Sequence, residues 1–212
     1  FNNCKNKIKD NMHNYFTELS WLGNISIPDI DTIATNLCAF VLIDNYVTGS
    51  QYADNENVCN RSTLILDDIM SKVSSSCLCS EVTTEDLKKF KYLNYYGQNI
   101  SSLNEFDFHG MVELEELHLY NNNLAEISEK QFFNLNKLEI LSLYSNDITT
   151  IHENSFSSLN SLRELKLGSN NIENLHVGTF HDLTSLVELD LSLAGLTELP
   201  LGIFSDLNSL ET

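Results

Sequence analysis

The stretch LEELHLYNNNLAEISEKQFFNLNK, residues 114–137, decides the fold. It recurs without a gap as LEILSLYSNDITTIHENSFSSLNS (138–161), LRELKLGSNNIENLHVGTFHDLTS (162–185) and LVELDLSLAGLTELPLGIFSDLNS (186–209). A degenerate first copy, FKYLNYYGQNISSLNEFDFHGMVE, occupies 90–113, and a partial copy occupies 210–212. A fixed period of 24 residues marks a repeat architecture. No unit of this kind buries its own apolar face, so stacked neighbours must supply the core.

The shared template is L-x-x-L-x-L-x-x-N-x-L-x-x-[IL]-x-x-x-x-F-x-x-L. Apolar residues at its fourth and sixth positions alternate, which predicts a short strand with one buried face: Leu117/Leu119, Leu141/Leu143, Leu165/Leu167 and Leu189/Leu191. Successive copies would stack these strands in parallel, about 4.8 Å apart. Asn122, Asn146 and Asn170 hold position nine, where an amide that both donates and accepts can satisfy backbone groups of neighbouring turns. Gln98 keeps an amide there in the first copy. Ala194 has none, so distortion is expected near 192–195. Phe108, Phe132, Phe156, Phe180 and Phe204 predict an aromatic column on the returning side. Leu207 and Leu210 are expected to face solvent, which suggests a chain running past Thr212 into further repeats and a cap.

Residues 1–80 carry no repeat and read as a small helical module, with 81–89 as the junction to repeats at 90–212. Helical spacing joins Ile8, Met12, Tyr15, Phe16 and Leu19. It also joins Ile30, Ile33, Ala34, Leu37, Val41 and Leu42. A third helix is expected from Ser62 to about Ser75, with Leu66, Ile69, Met70 and Val73 on one side. All five cysteines (Cys4, Cys38, Cys59, Cys77 and Cys79) fall in this module, as disulfide staples would. The odd number leaves at least one thiol free or joined to another chain, and the connectivity stays open. Asn24, Asn60 and Asn99 begin Asn-X-Ser sequons and are the expected glycosylation sites. With the clustered cysteines they favour a secreted or cell-surface origin.

This template resembles the extracellular leucine-rich repeat family in its 24-residue, Phe-containing form, found in Toll-type receptor ectodomains, insect immune repeat proteins and lamprey variable receptors. The resemblance implies an α/β fold: a leucine-rich repeat solenoid, a horseshoe arc of parallel strands, preceded by the disulfide-stapled helical module. Cys77-Leu-Cys79 looks like part of the cysteine cap that precedes repeat one in this family. No later cysteine follows it and the helical extension is longer than the usual cap, so no disulfide pattern is carried over.

In this family positions two, three, five, seven and eight face the concave side. Here that implies a ligand face of Tyr92, Tyr96, Glu116, His118, Tyr120, Tyr144, Glu164, Lys166, Glu188 and Asp190, aromatic toward the N-terminal end and acidic toward the other. Tyrosines on adjacent strands offer flat amphipathic area suited to protein recognition, though they also stabilise neighbouring strands. A protein ligand or co-receptor with basic side chains and an apolar patch would fit, and the odd cysteine allows a homo- or hetero-oligomer.

Composition sets the outer limits. The chain has 212 residues, 42% of them apolar, and 30 acidic against 12 basic side chains, a formal charge of −18. Such a surface does not suit phosphate neutralisation or an anionic membrane, so neither a nucleic acid nor membrane contact within this segment is expected. No apolar run approaches the ~18 residues of a membrane span. No phosphate loop, G-x-S-x-G elbow or H-E-x-x-H is present, so no catalytic residue, cofactor or metal site is expected. The histidines pair by repeat position (His152 with His176, His109 with His181), but two ligands without a third make a poor metal site. The leading expectation is a non-catalytic recognition module outside the cell; the resemblance points to innate immunity, receptor signalling or adhesion. Two alternatives stay open: an intracellular adaptor whose helical module docks a partner while the repeats select a substrate, and a regulatory segment of a larger enzyme.

Overall fold

The computed structural model describes residues 61–73 and 82–212, in two compact units, Phe1–Val82 and Thr83–Thr212. The five cysteines, Asn24, Asn60 and the first two expected helices lie outside the described residues. In the first unit, helix α1 spans Thr63–Lys72. Ile65, Leu66 and Ile69 form its buried side and Val73 is buried just beyond it, while Met70, expected on that side, is only half-buried. Asp68 and Lys72 pair one turn apart at 2.7 Å on the exposed side.

The second unit opens with a single helical turn, α2 (Thr84–Leu87), started by a reciprocal cap. The Thr83 hydroxyl accepts from the Asp86 amide, and the Asp86 carboxylate accepts from the Thr83 amide. Leu87 is buried against Gly110, where an added Cβ would come within 2.9 Å of Leu87 Cδ1.

Each repeat then contributes one strand to a five-stranded parallel sheet, ordered β1 (Tyr92–Asn94), β2 (Glu116–His118), β4 (Ile140–Ser142), β6 (Glu164–Lys166), β7 (Glu188–Asp190). The register is the repeat period itself: Leu93, Leu117, Leu141, Leu165 and Leu189 stand opposite one another. A second, two-stranded ladder, β3 (Glu126–Ile127) with β5 (Thr150–Ile151), runs later in the repeats and continues as a bridge from Thr150 to Asn174. The architecture is thus a parallel β-solenoid.

The core is a set of columns. Phe108, Phe132, Phe156, Phe180 and Phe204 stack at 6.2, 6.3, 6.4 and 6.3 Å between ring centroids, with near-parallel planes. Each fully buried ring contributes roughly 1.5–3 kcal/mol. Asn122 Oδ1 accepts from the amides of Gln98 and Ile100, and its Nδ2 donates to the carbonyls of Tyr95 and Leu119. Asn146 and Asn170 repeat the pattern one and two turns on. The Gln98 side chain is exposed and, among the described residues, donates only to the Tyr96 carbonyl of its own turn, so it does not extend the ladder between turns.

Two sequence expectations are corrected. Ala194 was expected to leave nothing that could bond, yet its backbone supplies both functions of the missing amide. Its carbonyl accepts from the Ile172 amide at 2.7 Å and its own amide donates to Leu191. The turn that permits this has Gly195 at φ +85°. Leu207, expected in solvent, is buried, because it completes the column of Met111, Leu135, Leu159 and Leu183 and one neighbouring layer is enough to cover it; Leu210 is half-buried.

Candidate recognition face

The outward side of the five-stranded sheet gathers every residue of the expected ligand face. Register places Tyr92, Glu116, Ile140, Glu164 and Glu188 in one column, and Asn94, His118, Ser142, Lys166 and Asp190 in the next. Alternation puts both columns opposite the leucines between them, which are buried in the first four strands and half-buried at Leu189; Ser142 is itself buried. Tyr96, Tyr120 and Tyr144 follow the first three strands. Backbone pairing persists past them, with the Gly97 amide on the Tyr120 carbonyl and the Asn121 amide on the Tyr144 carbonyl. The chain then turns through a left-handed residue at position eight of every repeat, from Gly97 (φ 64°) to Leu193 (φ 52°).

The aromatic half is a connected cluster. Tyr96 stacks on Tyr120 at 4.7 Å, His118 meets Tyr120 edge-on at 6.1 Å, and Tyr92 lies 5.3 Å from His118. The Glu116 carboxylate reaches His118 Nε2 at 3.2 Å. Tyr92 and Tyr96 remain 53% and 52% exposed, so the cluster is built but open. Tyr144, also exposed, makes no ring contact with its neighbours among the described residues and stands apart from the stack.

Asn94 arranges this cluster. Its Nδ2 donates to the Tyr92 hydroxyl at 3.1 Å, and its Oδ1 accepts from the Tyr96 amide at 3.0 Å. Sequence reasoning places it on the concave side, at position five, but does not count it among the ligand residues, although the alternation Tyr92-x-Asn94-x-Tyr96 was the available signal. Asp190 plays the corresponding part in the fifth repeat, accepting from the Ser192 amide at 2.8 Å.

The acidic half surrounds one lysine. Lys166 lies 3.0 Å from Glu164 and 3.9 Å from Glu188. The hydrogen bond to Glu164, with Glu188 and Asp190 nearby, raises the Lys166 pKa above its ordinary value against partial desolvation. Gly168 holds the tyrosine position here. An added Cβ would press within 2.8 Å of Asp190 Oδ2 and 2.9 Å of Ser192 Oγ, so the aromatic column ends where these side chains fold over. Among the described residues no group of three His, Cys, Asp or Glu is placed to hold a metal ion, and no helix is long and apolar enough to cross a membrane.

The arrangement offers stacking area, acceptors and negative charge. Residues 112–172 and 161–212 match the leucine-rich repeat family model. Among solved structures, an internalin (inlF) from Listeria monocytogenes is similar at 27% identity with a TM-score of 0.52. The match covers 69% of this chain and 39% of the internalin. No curated protein matches. Domains of this family and fold are typically non-catalytic modules for protein–protein interaction.

Proposed function

Because the chain is a leucine-rich repeat protein, we propose that it is a secreted or cell-surface recognition module that binds a protein partner on the outward face of its main sheet. The carrying observation is the open ring cluster of Tyr92, His118, Tyr120 and Tyr96 beside the acidic columns. Stacked, half-exposed tyrosines give contact area with little side-chain entropy left to lose. Glu116, Glu164, Glu188 and Asp190 then select for basic groups, with 21 acidic against 7 basic side chains over residues 81–212 adding long-range attraction. The partner is a protein or co-receptor segment presenting arginine or lysine beside an apolar or aromatic residue. Sequons and clustered cysteines support the extracellular placement.

An extended peptide alternating arginine and tryptophan is the defined probe. It is expected to bind the full chain, to lose at least about tenfold in affinity (about 1.4 kcal/mol) when Tyr96→Ala and Tyr120→Ala are combined, and to fail when glutamate replaces its arginines. Binding that survives the double substitution would be charge-driven adhesion elsewhere and would overturn the assignment. The extracellular placement has its own test: the intact mass of the protein from its natural source, reduced and non-reduced, before and after glycan removal. A bare chain with five free thiols would sink it.

A further inference from the structure

We infer that Asn99 is a site of N-linked glycosylation, and that the repeat geometry accounts for why a glycan can stand there and not on the position-nine asparagines. The inference rests on the extracellular part of the proposed function.

The repeat template dictates where a sequon can occur in these turns. A glycosylated asparagine needs Ser or Thr two residues on. Asn122, Asn146 and Asn170 occupy position nine, and two residues on lies position eleven, filled by Leu124, Ile148 and Ile172. All three are fully buried, so a hydroxyl there would sit in the core. The position-nine amides are also fully engaged between turns, and a sugar on any of them would break the stack. Position ten differs. Two residues on lies position twelve, which is not a core position, and there the first copy carries Ser101. Asn99 is thus the position-ten residue completed by a hydroxyl.

The structure leaves this asparagine unengaged. Asn99 and Ser101 are both exposed. Its equivalent one repeat later, Asn123, donates to Asp147 at 3.2 Å, whereas the Asn99 carboxamide makes no hydrogen bond among the described residues. Its backbone is left-handed (φ 56°), a conformation asparagine tolerates better than most residues. The segment's fixed bonds come from other atoms: the Ile100 amide donates to Asn122 Oδ1 and the Ile100 carbonyl accepts from the Asn123 amide. Substituting Asn99 Nδ2 therefore displaces no contact. Three residues separate Asn99 from Tyr96, a span of at most about 11 Å, so the glycan stands beside the aromatic cluster.

The transfer balances with one co-reactant, a lipid pyrophosphate-linked oligosaccharide. The anomeric carbon forms a bond to Asn99 Nδ2, its bond to the phosphate oxygen breaks, the lipid pyrophosphate leaves with the electron pair, and the amide nitrogen loses a proton.

The full chain, translated behind a cleavable secretion leader with microsomes, gives the test. Protease-protected molecules are treated with glycan amidase in heavy-oxygen water, which converts a glycosylated asparagine to labelled aspartate. Label at Asn99 is expected, and Ser101→Ala should remove that label while leaving any at Asn24 and Asn60. Protected molecules bare at Asn99 overturn the assignment whatever the other sequons carry. Neither result bears on natural localisation or on the binding face, which the mass and peptide experiments test separately.

Discussion

The amide of Ile172 donates to the carbonyl of Ala194 at 2.7 Å, where one repeat earlier the amide of Ile148 donates to the side chain of Asn170 at 3.0 Å. A backbone carbonyl thus stands in for a side-chain amide. The substitution depends on Gly195 at φ +85°, whose missing Cβ would lie 3.2 Å from Asn171 Cα. Gly195→Ala should therefore destabilise the array by about 1–3 kcal/mol through the left-handed backbone, with the close contact adding to it. Chemical denaturation checks this. An unchanged midpoint would mean that the turn has another way to present the Ala194 carbonyl.

Asn146 and Asn123 offer a paired comparison. Asn146 is buried, and Asn146→Ala leaves the Leu124 amide without its side-chain acceptor and removes one of the two asparagine donors to each of the Leu119 and Leu143 carbonyls, which keep Asn122 and Asn170 respectively. The expected loss is about 1–3 kcal/mol. Asn123 sits one position later in the previous repeat but is exposed, and Asn123→Ala should change stability by under about 0.5 kcal/mol. Equal effects in urea denaturation would show that the buried ladder does not hold the turns together.

Phe156→Ala removes a ring buried between Phe132 and Phe180 and should cost about 3–5 kcal/mol. Phe204→Ala should cost clearly less, since Phe204 contacts only Phe180 among the stacked rings and is partly exposed. Denaturation midpoints that fall in the reverse order would contradict the column as the common core.

How legible this was depends on whether side chains or backbone carried the information. The strand leucines, the Asn122–Asn170 ladder and the phenylalanine column could be read because each recurs at one repeat position. The rescue at Ala194 could not, since it depends on a carbonyl direction that no side-chain template encodes, although a glycine at position ten was its trace. The face shows the same division. Tyr96, Tyr120 and Tyr144 share a column in sequence, yet only the first two stack, because side-chain rotamers decide ring contact and periodicity does not report rotamers. The second ladder of β3 and β5 was missed because two-residue strands leave no alternation to detect.

Asp86 gives a pH dependence of definite sign. Hydrogen bonds from Lys89 first, then from the Thr83 side chain and backbone, hold its pKa at about 2, below the ordinary value of 3.8. A depressed carboxylate pKa adds stability that is fully present above the unfolded value and is lost as pH falls toward the folded one. The α2 cap should therefore weaken between about pH 4 and pH 2. Asp86→Asn should remove that part of the acid dependence and lower protection of the α2 amides at neutral pH. Hydrogen exchange at Leu87 and Lys88 measures both; an unaltered acid profile in the variant would remove Asp86 as its source.

Asn94 separates binding from folding most cleanly. It is exposed, and its side-chain hydrogen bonds go to Tyr92 and Tyr96, so Asn94→Ala should leave the melting midpoint within a few degrees. It should nevertheless loosen both exposed tyrosines and weaken the arginine–tryptophan probe several-fold, because a face that must be ordered on contact loses affinity to that ordering. Tyr144→Ala provides the contrast: Tyr144 lies outside the ring stack, and its loss should weaken the probe less than Tyr120→Ala. Calorimetric titration of the three variants gives the order. Should Asn94→Ala bind as the parent does while Tyr120→Ala does not, Asn94 has no positioning role and the tyrosines hold their places through ring contacts alone.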